Sequence, residues 1–127
     1  MRIIMTEVGD YIRATWGAHW QYGVVDCTMW PADWCVLAWG FDPAAAFRGA
    51  YADADGARDL IGGDMLVPLI DGEIGAYRRE TAREGDVGVI RIAGLQVGAI
   101  RHLEKWAFRK PFGVGIVKLD AIAVWGV

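Results

Sequence analysis

The first half of the chain spaces its apolar residues as amphipathic helices do. A first helix is predicted between a cap at Thr6 and a stop at Gly17. A second helix is predicted from about Cys27 to Trp39, with Asp26 as its N-cap. Pro31 removes one backbone hydrogen bond near the start of that helix, so a kink or an irregular first turn is expected there.

The middle of the chain mixes short apolar runs with Gly, Asp and Arg. Gly40 is expected at the C′ position of the second helix. Asp42-Pro43 predicts a short helix through Phe47, with Asp as its cap and Pro at its first position. Residues 53 to 83 predict two or three short helices, one of them near Ile74 to Arg83.

The second half of the chain changes to the period of β-strands, after a turn predicted at Gly85-Asp86. The predicted strands are Val87 to Ile92, Gln96 to Arg101, Trp106 to Lys110, Val114 to Leu119 and Ile122 to Val127. Helices first and antiparallel strands second predict an α+β arrangement. Because no repeat, low-complexity tract or linker interrupts the pattern, residues 1–127 are expected to form a single domain.

Composition excludes several classes of function. Hydrophobic residues make up 54% of the 127-residue chain, which is enough for a core. A net charge of −3 without a basic patch argues against nucleic-acid binding. No apolar run reaches the roughly 18 residues of a membrane span, and residues 1–7 lack the apolar stretch of a secretory signal. The chain is therefore expected to be made in the cytoplasm and to leave it only if something carries it out.

The chain has two cysteines, and their sequence surroundings predict different roles. On one helix Cys27 and Cys35 would lie about 12 Å apart along the axis, too far for a disulfide. Cys35 lies in an apolar run and is expected to be a buried small hydrophobe. Cys27 follows Asp26 at a loop-to-helix junction, where exposed N–H groups and the helix dipole would stabilise a thiolate. Spacing alone leaves open a cysteine that merely starts a helix.

The residues around Cys27 carry a family resemblance. The stretch from Trp20 to Trp30, WQYGVVDCTMW, resembles the NlpC-type signature of an aromatic–Gly loop followed by Asp-Cys at the central helix. Gly85-Asp86-Val87 resembles that family's step into its first barrel strand, and Val97-Gly98-Ala99-Ile100 is similar to its second strand. The segment from Gly40 to Tyr51 looks like a compact phage-encoded branch of the family.

The resemblance, which spans roughly Trp20 to Val127, implies a papain-like fold with N-terminal helices packed on a C-terminal antiparallel half-barrel. It also implies Cys27 as the nucleophile of a peptidase acting on peptidoglycan stem peptides, without a cofactor. Genes of the phage branch usually lie among tail-tip genes. The implied partners are therefore tail hub and distal-tail proteins, and the implied location is the virion tail.

One position departs from the family pattern. The second strand of the family begins with the catalytic His, and this chain has Gln96 there. A glutamine amide takes up no proton near neutral pH, so it cannot serve as the general base for a cysteine nucleophile. The family's third polar residue starts the next strand, where Glu104 or Lys105 falls, and neither is an ordinary orienting group.

Other residues are candidates for the missing roles. His102 lies six residues beyond Gln96, about 20 Å along a strand, and would reach Cys27 only in another register. His19 lies in the loop before Cys27; an ordinary surface position explains both histidines. Gln21 and Tyr22 are alternative oxyanion-hole candidates, or loop residues without a catalytic part.

Three further groups of residues have simpler interpretations. Helix caps and turns explain the acidic set better than a metal site, because the set lacks the spacing of a calcium loop: Asp53, Asp55, Asp59 and Asp64. The basic run from Arg101 to Lys110 is expected to be a solvated strand edge or loop. Trp30 and Trp34 share one helix face with Met29 nearby, and that face is expected in the core or against a partner.

Three functions remain open from the sequence. The first is a structural part of a phage tail tip or baseplate that keeps the peptidase fold without its His. The second is an active peptidoglycan endopeptidase that assists DNA entry, with His102 or His19 as the base for Cys27. The third is a cytoplasmic amide-bond enzyme or a binding module unconnected with a virus.

Overall fold

The computed structural model describes residues 5–127, with side chains from residue 7 onward. This part of the chain forms an α+β structure in which helices precede an antiparallel sheet. The helices are α1 (Met5–Thr15), α2 (Met29–Trp39), α3 (Ala54–Ile61) and α4 (Leu66–Ile74), followed by a 3₁₀ turn (Gly75–Tyr77). The predicted cap at Thr6 falls on a side chain outside the described part.

The long second helix forms where the sequence predicts it, with a later start. Asp26 accepts hydrogen bonds from the first backbone N–H groups, and Gly40 adopts φ 83° at the other end, as a C′ glycine does. Cys27 lies in the turn before the helix. Pro31 is the third residue of α2, where an N–H group would have no intrahelical partner, so the first turn accommodates the proline without losing a hydrogen bond.

The short helix predicted from Asp42 to Phe47 is wrong, because this segment forms consecutive turns. The Asp42 side chain does accept the backbone N–H of Ala44, as a cap would. Arg48 then binds both Asp42 at 2.7 Å and Asp33 at 2.8 Å. These two ion pairs hold the segment folded back against α2.

The helix predicted near Ile74 to Arg83 is also wrong. Helix α4 ends at Ile74, and Arg78–Arg79 forms a short strand, β1, that pairs with β6. The side chain of Arg79 lies 3.1 Å from the buried Asp86 carboxylate, and this contact favours the extended segment over a longer helix.

The sheet contains every strand predicted from the sequence, with some shortened. The strands are β2 (Val87–Ile92), β3 (Leu95–His102), β4 (Lys105–Arg109), β5 (Val114–Val117) and β6 (Ala123–Trp125). Their spatial order is β1-β6-β2-β3-β4-β5, and all neighbouring pairs are antiparallel. The strand β6, last in the chain, therefore lies between β1 and β2.

The main core lies between the helices and one face of the sheet. Trp30, Trp34 and Cys35 of α2 are buried there together with Trp125. The burial of Cys35 confirms the sequence-based prediction, and both cysteines are free thiols. Met29 is also fully buried, so Met29, Trp30 and Trp34 belong to the core, and contact of another part of α2 with a partner stays a prediction.

The large exposed apolar residues of α2 are Val36 and Leu37. Leu37 is seven residues after Trp30 and three after Trp34, so it continues the face of the buried tryptophans toward the end of the helix. None of the helices in residues 5–127 has the length and apolar character that crossing a bilayer requires.

Candidate functional site

Asp26 organises the turn that leads into α2. It is 2% exposed, and its two carboxylate oxygens accept four hydrogen bonds. Oδ1 accepts the backbone N–H groups of Thr28 at 2.9 Å and Met29 at 2.8 Å. Oδ2 accepts the backbone N–H of Gly23 at 2.8 Å and the hydroxyl of Tyr51 at 2.7 Å. The carboxylate is thus a structural cap in the interior of the protein.

The thiol of Cys27 is next to this carboxylate. Burial, and to a smaller extent the charge of Asp26, raise the pKa of Cys27 to about 11. The sequence predicted a lowered pKa from the helix N-terminus. That prediction is wrong because Asp26 already occupies the first N–H groups of the helix, and because Cys27 precedes α2 by two residues. At neutral pH the thiol is protonated.

Strand β3 approaches the Cys27 turn at Gly98. A Cβ atom on Gly98 would lie 2.9 Å from the Cys27 carbonyl oxygen and 2.8 Å from Pro31 Cγ, so only glycine fits. Gln96 is two residues earlier and on the same face of the strand. Its Nε2 donates to Asp64 Oδ1 at 2.9 Å, while its Oε1 is buried without a hydrogen-bond partner.

Neither histidine acts on the Cys27 thiol. His102 Nδ1 lies 2.6 Å from Glu84 Oε2 at the far end of β3, and Glu84 Oε1 also accepts the backbone N–H of Leu103. His102 lies four residues beyond Gly98, about 13 Å along the strand. His19 is exposed in the loop after α1, and among the hydrogen bonds of the described residues none joins it to the Cys27 thiol.

The remaining predicted residues have other positions. Gln21 is exposed, and its backbone forms a two-bond bridge with Val25. Tyr22 packs edge-on against Trp20, with ring centroids 5.5 Å apart, and contacts the cluster that contains Tyr51. Glu104 and Lys105, the alternatives for the third polar position, are exposed at the turn from β3 into β4.

A cavity of about 60 Å³ lies beside the turn that contains Cys27. Its walls are mainly apolar and are contributed by Thr28, Met29, Pro31 and Tyr51 among others. Ligand pockets usually have several hundred Å³, so this cavity is too small to hold a peptide. Hydrogen bonding by the Thr28 side chain partly opposes the rise in the pKa of Cys27.

A second group of residues forms a larger cleft that the sequence did not reveal. The cleft has a volume of about 650 Å³ and is bounded by the loop after α1 and the turn between β4 and β5. Its walls include Trp16, His19, Trp20, Arg109 and Phe112. Arg109 is 2% exposed, so the prediction of a solvated basic run is wrong at this residue.

The acidic residues of the middle segment interact with backbone N–H groups, arginines and an amide. Asp53 caps α3 by accepting the backbone N–H of Gly56 at 2.7 Å, and Asp55 pairs with Arg58. Asp64 binds Gln96 and lies 3.6 Å from Arg91. In the part of the chain that the structure describes, no three His, Cys, Asp or Glu side chains converge to hold a metal ion.

Comparison with known proteins gives a family and no function. Among curated proteins and among solved structures, nothing matches this chain. A family model does match, over residues 2–127, and its description is "Domain of unknown function (DUF6950)". With nearly the whole chain matched, the protein belongs to the DUF6950 family.

Proposed function

We propose that this chain is a structural component of a phage tail tip or baseplate, built on an NlpC-like papain-type fold that lacks peptidase activity. The order of helices and antiparallel strands supports this fold, as does the packing of the Cys27 turn on β3 at Gly98. The assignment to a phage tail rests on the resemblance between the segment from Gly40 to Tyr51 and the phage-encoded branch of that family.

The observation that carries the loss of activity is the state of Cys27. A cysteine peptidase needs a thiolate and an adjacent imidazole that accepts the proton. Here the pKa of the thiol is raised to about 11, and His102 is engaged with Glu84. Gln96, which stands in the family's His position, donates to Asp64. The two side chains considered as proton acceptors for the thiol, His102 and Gln96, are therefore each bound to an acidic side chain instead.

The first test is the rate at which iodoacetamide alkylates Cys27, followed by peptide mass spectrometry so that Cys35 is counted separately. A pKa near 11 reduces the thiolate fraction about 100-fold relative to the ordinary thiol pKa of 9, while the more basic thiolate is more nucleophilic. The expected rate at pH 7.5 is about tenfold below that of a free thiol, and it should keep rising above pH 10. A plateau below pH 8 would show an activated cysteine and favour the endopeptidase.

The second test replaces the residue in the family's His position. Gln96→His should lower the pKa of Cys27 and accelerate its alkylation if an imidazole there reaches the thiol. Gln21→His is the matched control, because Gln21 is exposed in the preceding loop and its substitution should leave the rate unchanged. Equal rates in both variants and in the parent protein would mean that a histidine at position 96 is not enough to restore a reactive cysteine.

The structural role is tested in particles. Mass spectrometry of purified virions from the source strain should detect the chain at a fixed ratio to the tail proteins, and immunogold labelling should mark the tail tip. Release of stem-peptide fragments from purified peptidoglycan by the isolated chain, abolished by Cys27→Ala, would overturn the proposal. Absence of the chain from virions would also overturn it.

A further inference from the structure

Arg109 is a buried cation whose hydrogen bonds are incomplete. It is the last residue of β4 and is 2% exposed. Its Nη2 donates to the carbonyl oxygens of Trp16, at 3.3 Å, and Ala18. The N–H groups on Nε and Nη1 are buried without a partner. Guanidinium has five N–H donors, so about half of its capacity is unused in the interior.

Among the side chains of residues 7–127, the charge of Arg109 also lacks a carboxylate counterion. Within residues 7–127, the ion pairs of the arginines join Arg13, Arg48, Arg58, Arg78, Arg79 and Arg91 to carboxylates, and none includes Arg109. Burying an unpaired charge costs free energy, and native proteins generally pair such a group or bring it to a bound anion. A guanidinium in this state is therefore suited to an anionic ligand.

Arg109 lines the cleft of about 650 Å³, a volume in the usual range for small-molecule sites. Trp16 is 51% exposed and Phe112 is 91% exposed, an unusual degree for aromatic side chains. The ring of Trp16 packs over Gly113, where a Cβ atom would come within 2.9 Å of it. The cleft thus combines aromatic walls with a buried positive charge that water screens poorly.

The composition of the lining favours a ligand with a single negative charge. Arg109 is the lining residue with a permanent positive charge, and His19 is the other ionisable one. A carboxylate matches one guanidinium in charge and in planar shape. A phosphate dianion would require further cations, which this lining does not supply.

We propose that this cleft binds a carboxylate attached to a flat apolar group. The carboxylate would interact with Arg109, and the apolar group would pack against Trp16 and Phe112. Such a group occurs in a small aromatic acid and at the C-terminus of a peptide that ends in an aromatic residue. The proposal is independent of Cys27 chemistry and of the assignment to a phage tail.

The experiment titrates the full chain with two pairs of probes while amide chemical shifts are recorded. The pairs are benzoate with benzamide, and N-acetylphenylalanine with its amide. Each pair keeps shape and changes charge, so an acid should bind at least about tenfold more tightly than its amide, with shifts centred on His19 and Gly113. The pair that binds more tightly distinguishes the free acid from the peptide terminus. Equal binding of acid and amide in both pairs, or no binding, would overturn the proposal.

Substitutions locate the binding. Phe112→Ala should weaken the preferred acid about two- to tenfold. Leu103→Ala is the matched control: Leu103 is 51% exposed and lies in the turn at the opposite end of β4, so affinity should not change. Equal loss in both variants would contradict binding in this cleft.

Variants of Arg109 test the charge. Arg109→Met should abolish the preference for acid over amide, while Arg109→Lys should keep a reduced preference because it keeps the charge. If Arg109→Met does not fold, Arg109→Lys and the probe pairs on the parent protein still decide the question. An undiminished preference in a folded Arg109→Met would refute the role of this residue.

Discussion

Asp26 and Arg109 are both 2% exposed, yet their surroundings differ. The Asp26 carboxylate accepts four hydrogen bonds, from three backbone N–H groups and the hydroxyl of Tyr51. The Arg109 guanidinium donates to two carbonyl oxygens and leaves Nε and Nη1 unpaired. One buried charge is fully solvated by the protein, and the other is not.

This difference separates a structural charge from a charge suited to a ligand. Asp26 replaces its lost water with donors that also fix the start of α2, so its removal should damage the fold. Arg109 has replaced only part of its hydration and lines a cleft. Its removal should damage binding more than stability. Burial alone would not distinguish the two residues.

The largest expected effect comes from Asp26→Ala. The substitution leaves buried N–H donors and the Tyr51 hydroxyl without an acceptor, and should lower the free energy of unfolding by about 3–5 kcal/mol. Urea unfolding followed by circular dichroism measures it. Asp53→Ala is the control, because it removes an exposed cap with a single hydrogen bond and should cost about 1 kcal/mol. Similar losses of unfolding free energy in both variants would show that Asp26 contributes no more to stability than an exposed helix cap does.

A smaller effect is expected from Tyr51→Phe. This variant removes the one side-chain donor to Asp26, at 2.7 Å, and keeps the ring packed in its cluster. The loss should be about 1.5–3 kcal/mol, since the acceptor is charged. Tyr22→Phe, which alters another hydroxyl near this cluster, serves as the comparison in the same unfolding assay. No loss from Tyr51→Phe would mean that backbone N–H groups alone satisfy the carboxylate.

The smallest change in stability is expected from Arg109→Met. The variant loses hydrogen bonds to Trp16 and Ala18, but it also removes an unpaired buried charge, so the two effects oppose each other. The free energy of unfolding should change by no more than about 1 kcal/mol in either direction. A loss comparable to that of Asp26→Ala would make Arg109 a structural residue and end the contrast.

Local pattern predicted most of the fold. The strand Val87–Ile92 formed as expected, and Gly40 ended α2, because a β-rich apolar run and a C′ glycine act within a few residues. The helix expected near Ile74 to Arg83 failed for a long-range reason. Arg78–Arg79 pairs with β6, more than forty residues later, and periodicity holds no information on that partner.

The candidate site was less predictable for the same physical reason. The sequence placed Cys27 at the start of a helix but gave no sign that the Asp26 carboxylate would occupy the N–H groups there. Arg109 lies in a run of basic residues, and its burial depends on the loop of residues 16–20 folding over it. Nothing in the neighbouring sequence distinguishes the one buried cation of a basic run from its exposed neighbours.

The insertion of β6 between β1 and β2 also affects how the chain folds. The strands β2 through β5 precede β6 in the chain and are neighbours in the sheet, so they can pair while the place beside β2 is empty. Trp125 reaches the interior, and its indole N–H reaches Asp71 at 2.8 Å, only when the last strand arrives. Until then β2 has an open edge and the core lacks a large side chain, so a partly folded chain is exposed to wrong strand pairing.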